Sequence, residues 1–139
     1  MPLRIAADVA AFSPLQLAYI GDSVYDLLVR TDILKADAKM HRLHQSATQR
    51  VNAAAQARAL KAITEYLTEE EADLVRRSRN AHAKHQAPRS SSCAEYNAAT
   101  ALEALLGYLY LSGQMERLYT LFLTIRNAKQ EDVHCLKPR

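Results

Sequence analysis

The chain has 139 residues, of which 49% are hydrophobic and 24% charged, with a formal net charge of +3 and only 3 Gly and 4 Pro. This length and composition predict one globular domain with a substantial core, and the residue usage favours helix. No apolar run is long enough to span a membrane, the N-terminus is a poor signal peptide, and the cysteine pattern implies no disulfide framework. We therefore expect a cytoplasmic protein without a membrane partner.

Four helices are predicted before residue 80. Ser13 provides an N-cap and Pro14 a first helical residue, and apolar residues at helical spacing continue this helix. Residues 32–37 form a connection, and Thr68 with Glu71 forms a capping box that begins the fourth helix. The predicted helices cover about 14–30, 38–50, 52–66 and 68–79.

A basic segment without acidic residues follows. Residues 80–93 contain Pro88 and a run of serines and show no apolar period, which predicts a loop. The window 74–94 has no Asp or Glu, so its positive charge indicates an anionic partner. Its basic residues are Arg76, Arg77, Arg79, Lys84 and Arg89. Arg76 could equally be a solvated residue at the end of a helix.

The most apolar helix is predicted at 95–111, and Gly113 ends it. Its core stripe consists of Leu102, Leu105, Leu106 and Leu109. A last helix is expected at 114–128. The chain therefore predicts a single all-α domain of six or seven helices, with its core at about 13–128 and a flexible tail at 129–139.

Two carboxylates lie in apolar surroundings, each near a glycine. Asp22 follows Gly21 in "LAYIGDSVYDLL", and Glu103 precedes Gly107 by one helical turn in "ALEALLGYLYL". Glycine is unfavourable inside a helix, and close approach of two helices is one reason to keep it. If the glycines mark a crossing, the carboxylates face each other, and a hard cation such as Mg²⁺ or Mn²⁺ relieves their repulsion. Each acid could instead be a helix-surface residue.

These segments resemble the catalytic domain of ribonuclease III. "LAYIGDSVYDLLVR" is similar to its signature helix, and "ATALEALLGYLYL" to its second acidic motif. Of the two forms of this family, the short form, Mini-ribonuclease III, which lacks a double-stranded-RNA-binding domain, is the closer match. "LHQSATQRVNAAAQA" and "RNA" between the two acidic motifs also fit the short form.

The resemblance implies that Asp22 and Glu103 are the catalytic residues and the ligands of Mg²⁺, which Mn²⁺ can replace. The longer enzymes have a third and a fourth carboxylate where this chain has Ala18 and Thr100. The short form shares this reduction, and the number of metal ions per site stays open. Asp26, one turn after Asp22, could support the metal site through a water or could be a surface acid.

The resemblance also implies a fold and a function. The fold would be of the ribonuclease III type, and the protein would be a homodimeric endoribonuclease that cleaves double-stranded RNA. The products would carry 5′-phosphate and 3′-hydroxyl ends. The expected cellular substrate is the precursor of 23S ribosomal RNA, with a ribosomal protein as a further partner. The residues expected to contact RNA are Arg76, Arg77, Arg79, Asn80, Lys84 and Arg89.

The sequence leaves three alternatives open. A catalytically inactive RNA-binding module would share the basic segment. An all-α Mg²⁺-dependent nucleotide pyrophosphatase needs a dense acidic set, and the candidate here, "TEEEAD", resembles a helix cap. The pairs His41/His44 and His82/His85 suggest zinc, but no fourth ligand is well placed.

Overall fold

The computed structural model describes residues 6–82 and 92–135, which form α-helices joined by short connections, with no strand in these ranges. The helices are α1 (Ala6–Ala11), α2 (Pro14–Ile33), α3 (Met40–Val51), α4 (Ala53–Ile63), α5 (Glu69–Arg79), α6 (Cys93–Leu111) and α7 (Met115–Cys135). Short 3₁₀ turns follow α4 at Thr64–Tyr66 and α5 at Asn80–His82. The expected all-α fold of six or seven helices is confirmed.

The predicted helix starts are confirmed by their caps. The Ser13 hydroxyl accepts the Gln16 N–H at 3.2 Å, and the Gln16 side chain accepts the Ser13 N–H at 2.9 Å. Thr68 and Glu71 form the same reciprocal pair at the start of α5. Because both donors that would otherwise be unpaired are satisfied locally, each helix begins at a fixed residue.

Helix α2 continues past its predicted end at Arg30 and takes Asp32 into the helix. The reason for this extension is a set of contacts between Asp32 and two other helices. Asp32 accepts hydrogen bonds from Arg50 in α3 at 2.6 Å and from Arg126 in α7 at 3.1 Å. Burial by itself would raise the pKa of Asp32, but the two guanidinium groups outweigh it and lower the pKa. The residue predicted to lie in a connection therefore joins three helices.

The C-terminal helices are longer than predicted. Ser92 caps α6 by accepting the Glu95 N–H at 3.1 Å, so this helix begins at Cys93 rather than Glu95. Gly113 ends it in the left-handed conformation with φ 76°. Helix α7 continues past the predicted end at Ala128 because no Gly or Pro interrupts the chain before Pro138.

Helix α6 is the centre of the fold. The four leucines of its predicted stripe, Leu102, Leu105, Leu106 and Leu109, are completely buried. Ala101 and Ala104, at other positions around the helix, are completely buried as well. Helices α2, α4, α5 and α7 pack around it. A helix that is apolar on most sides is buried in this way. Within the described ranges, no helix has the combination of length and apolarity that crossing a membrane requires.

Helix α5 is held against α7 by a partly buried ion pair. Arg117 donates to the two carboxylate oxygens of Glu71 at 3.1 and 2.8 Å, and to the Tyr66 carbonyl at 2.7 Å. Burial opposes ionisation of Glu71, but hydrogen bonds from Arg117 and Thr68 lower its pKa below the usual value. This pair fixes the helix that carries the arginines of the basic segment.

Candidate active site

The site is built where α2 crosses α6 with the two backbones in contact. A Cβ atom added to Gly21 would lie 1.6 Å from the Glu103 carbonyl oxygen, and one added to Gly107 would lie 2.0 Å from the Leu17 carbonyl oxygen. The contacts run in opposite order along the two helices, so the helices are antiparallel. The prediction that both glycines mark a helix crossing is confirmed.

The two carboxylates lie at this crossing in different environments. Asp22 is exposed, whereas Glu103 is partly buried. Burial and, to a smaller extent, the negative charge of Asp22 raise the pKa of Glu103 to about 8, although the Gln56 side chain opposes both effects. The groups are therefore close enough to repel each other, and in the absence of a cation Glu103 binds a proton at neutral pH.

Gln56 belongs to the site, although no role was expected for it. It is 2% exposed, its amide nitrogen donates to the Val51 carbonyl at 3.1 Å, and its side chain interacts with Glu103 and lowers the pKa of that acid. A signal was present in the sequence: Gln56 shares one helical face with the buried Leu60 and Ile63. A polar side chain on such a face needs a partner.

The donor set fits a hard divalent cation. Asp22 and Glu103 offer carboxylate oxygens, and the exposure of Asp22 leaves room for water and a phosphate to complete an octahedron. Ala18 is buried, and the Thr100 hydroxyl donates to the Tyr96 carbonyl at 3.1 Å, so neither position adds an acid. No group of three or more His, Cys, Asp or Glu is arranged to hold a metal within the part of the chain that the structure describes, and His85 of the zinc alternative lies outside that part.

Asp26 forms an ion pair with Arg30 at 2.9 Å, one turn further along α2. Both side chains are substantially exposed. This is the ordinary contact of two opposite charges on a helix surface, so the surface interpretation of Asp26 is the simpler one.

The predicted RNA-contacting residues have different surroundings. Arg76 and Arg77 both pair with Asp73, which lies one position before the acid-free window. Arg79 and Asn80 are exposed, and Arg79 makes no ion pair with any described residue. Lys84 and Arg89 lie outside the described residues. Asp73 therefore competes with an anionic partner for Arg76 and Arg77, and no ion pair in the described part of the chain does so for Arg79.

An exposed apolar face extends along α2 from beside the carboxylates. Tyr19 is 79% exposed, Leu27 65% and Leu34 68%, and their spacing puts them on one side of the helix. The face continues into a groove of about 300 Å³ between α2 and α3. Residues lining the groove include Leu27, Leu34, Met40, Leu43 and Ala47. His44 also lines this groove and is exposed.

Comparison with known proteins agrees with this geometry. A model of the ribonuclease III domain family matches residues 15–114. The chain is 48% identical over 113 residues to Mini-ribonuclease 3 of Symbiobacterium thermophilum, covering 81% of this chain and 86% of that protein. It is 46% identical over 111 residues to Mini-ribonuclease 3 of a Thermoanaerobacter species, covering 79% and 78%. A crystal structure of a protein from Fusobacterium nucleatum superposes with a TM-score of 0.75 at 32% identity, covering 82% of this chain and 92% of that one.

Proposed function

Because the chain belongs to the ribonuclease III domain family and is an endoribonuclease of that family, we propose that it cleaves double-stranded RNA with the help of a divalent cation held by Asp22 and Glu103. The observation that carries this proposal is the crossing of α2 and α6 at Gly21 and Gly107. It brings one carboxylate from each helix to a single rigid point that is open to solvent.

Asp22 and Glu103 would hold Mg²⁺, with Mn²⁺ as a substitute. When bound, the cation supplies activation of the attacking water and neutralises charge on the phosphate and the leaving oxygen. Glu103 must lose its proton to bind the cation, so proton and cation compete at this carboxylate. Hydrolysis in this manner would leave 5′-phosphate and 3′-hydroxyl ends.

The end of α5 and the segment after it would contact the RNA backbone. Arg79 and Asn80 are exposed, and the segment containing Lys84 and Arg89 leads directly to α6, which carries Glu103. Arg76 and Arg77 would exchange Asp73 for phosphate on binding. An A-form duplex offers mainly phosphates and 2′-hydroxyls, so recognition would follow duplex shape.

A symmetric homodimer would bring two such sites to the two strands of one duplex. The exposed apolar face of α2, with Tyr19 and Leu27, supports this proposal because a lone chain rarely exposes so many large apolar side chains together. Sedimentation at micromolar concentration should show a dimer. A species of 15.6 kDa that retains full activity would contradict it.

The cellular substrate proposed is the 23S ribosomal RNA precursor in the cytoplasm, with a ribosomal protein as a helper. A first experiment incubates the protein with a long RNA duplex, with and without Mg²⁺, and identifies the new ends. We expect cleavage only with Mg²⁺. Binding without cleavage would indicate an inactive RNA-binding module instead.

Nucleoside triphosphates provide the control for pyrophosphatase activity. In the "TEEEAD" segment, Glu71 is engaged by the helix cap and Arg117, and Asp73 by two arginines. These acids are therefore committed to ion pairs, and we expect no triphosphate hydrolysis.

A further inference from the structure

Gln56 is a buried polar side chain that reaches the candidate active site from a third helix, α4. Its amide nitrogen donates a hydrogen bond to the Val51 carbonyl at 3.1 Å, and the same side chain interacts with the Glu103 carboxylate, whose pKa it lowers. An amide nitrogen has two N–H groups, so one can face Glu103 while the other stays bonded to Val51. Gln56 therefore links the active-site acid to the junction between α3 and α4.

This junction holds the amide in one orientation. Val51 is the last residue of α3, where carbonyl groups lack partners within the helix, and Gln56 satisfies one of them. Asn52 caps α4 at the same corner by accepting the Ala55 N–H at 2.9 Å, and it donates to the Thr48 carbonyl at 3.1 Å. Gln56 cannot turn away from Glu103 without leaving the partly buried Val51 carbonyl without this bond.

We propose that Gln56 is a positioning residue that orients the Glu103 carboxylate for binding the divalent cation. The inference rests on the proposed function of the site. A donor fixed beside a carboxylate engages one oxygen, holds the group in one rotamer and leaves the other oxygen for the metal. The site would then be set by three helices rather than by the α2–α6 crossing alone.

The test measures metal affinity directly, without RNA. Mn²⁺ is titrated into the full-length protein and followed by the electron paramagnetic resonance signal of the free ion. Gln56→Met and Gln56→Leu each remove the donor, and we expect Mn²⁺ affinity to fall about 10-fold or more. Asn52→Ala is the matched control: it removes the cap of α4 but keeps the Gln56–Val51 bond that orients the amide, so it should lower stability and leave Mn²⁺ affinity unchanged.

Two further measurements separate positioning from a purely structural role. In a Glu103→Gln background, Gln56→Met should cause no additional loss of Mn²⁺ affinity, because the residue acts through Glu103. In cleavage assays, saturating metal should restore most of the turnover of Gln56→Met while the half-saturating metal concentration stays raised.

The outcomes distinguish failure of the positioning role of Gln56 from failure of the proposed metal-dependent function. If the wild-type protein binds no Mn²⁺ at this site, the proposed metal function fails. If the wild type binds Mn²⁺ and a folded Gln56 variant binds it equally well, only the positioning role is overturned. Failure of both apolar variants to fold, or an equal loss in the Glu103→Gln background, would assign Gln56 a structural role and overturn the proposal as well.

Discussion

Replacing Glu103 with glutamine should stabilise the metal-free protein, and by an amount that grows with pH. The glutamine keeps the size of the side chain and a carbonyl oxygen that can accept the bond from Gln56. It removes an acid whose pKa is raised from 4.5 to about 8, first by burial and then by the charge of Asp22. The variant therefore loses a charge that the folded state disfavours.

The sign and size of the effect follow from that pKa. Between pH 4.5 and about 8 the unfolded chain releases the Glu103 proton while the folded chain keeps it, so wild-type stability falls across this range. The full gap corresponds to roughly 5 kcal/mol when one pKa unit is about 1.4 kcal/mol. Because Glu103 is not completely buried, water screens part of this, and we expect a measured gain on the order of 2 kcal/mol.

The assay is urea unfolding of both proteins in EDTA from acidic to mildly alkaline pH. The two stabilities should agree near pH 4 and separate steadily up to about pH 8, with Glu103→Gln the more stable. Other titrating groups, including Asp32, are common to both proteins and cancel in the difference. Adding Mg²⁺ above pH 8 should stabilise the wild type alone. Parallel pH profiles would refute the account of a buried carboxylate facing Asp22.

Three other perturbations test the fold and the basic segment. Gly21→Ala should cost about 3 kcal/mol or more in urea unfolding, because its methyl would overlap the backbone of α6; near-normal stability would contradict backbone contact. Arg117→Leu should cost about 2 kcal/mol at neutral pH by leaving Glu71 unpaired. The loss should shrink as acid protonates Glu71, and a pH-independent loss would contradict the ion pair. Replacing Arg79 and Lys84 with Ala should flatten the salt dependence of duplex binding in Ca²⁺ by up to about 4 in log–log slope if each contacts one phosphate in both protomers; an unchanged slope would place the RNA elsewhere.

Local patterns in the sequence predicted most of the helices and the α2–α6 crossing. The caps at Ser13 and Thr68 depend on residues three positions apart, and the apolar stripe of α6 repeats within one helix. Gly21 and Gly107 stand out because glycine is costly inside a helix. These signals are visible without knowledge of the tertiary structure.

Contacts between distant segments could not be predicted in the same way. Asp32 meets Arg126 across most of the chain, so its place in α2 depends on packing rather than on local propensity. Gln56 reaches Glu103 only because α4 packs against α6. The ion pairs of Asp73 could not be predicted from the composition of the basic window 74–94, because Asp73 lies one position before it. Asp73 nevertheless pairs with Arg76 and Arg77 inside the window.

The central claim, that Asp22 and Glu103 hold the cation that cleaves RNA, is tested most directly by single-turnover cleavage of a long RNA duplex in saturating Mg²⁺. Asp22→Asn keeps the volume of the side chain and removes one ligand charge, and its circular dichroism spectrum should match that of the wild type. Because metal ions supply several kcal/mol of transition-state stabilisation, we predict a loss of at least about 10²-fold in rate. A folded Asp22→Asn protein that cleaves the duplex at nearly the wild-type rate would contradict the claim.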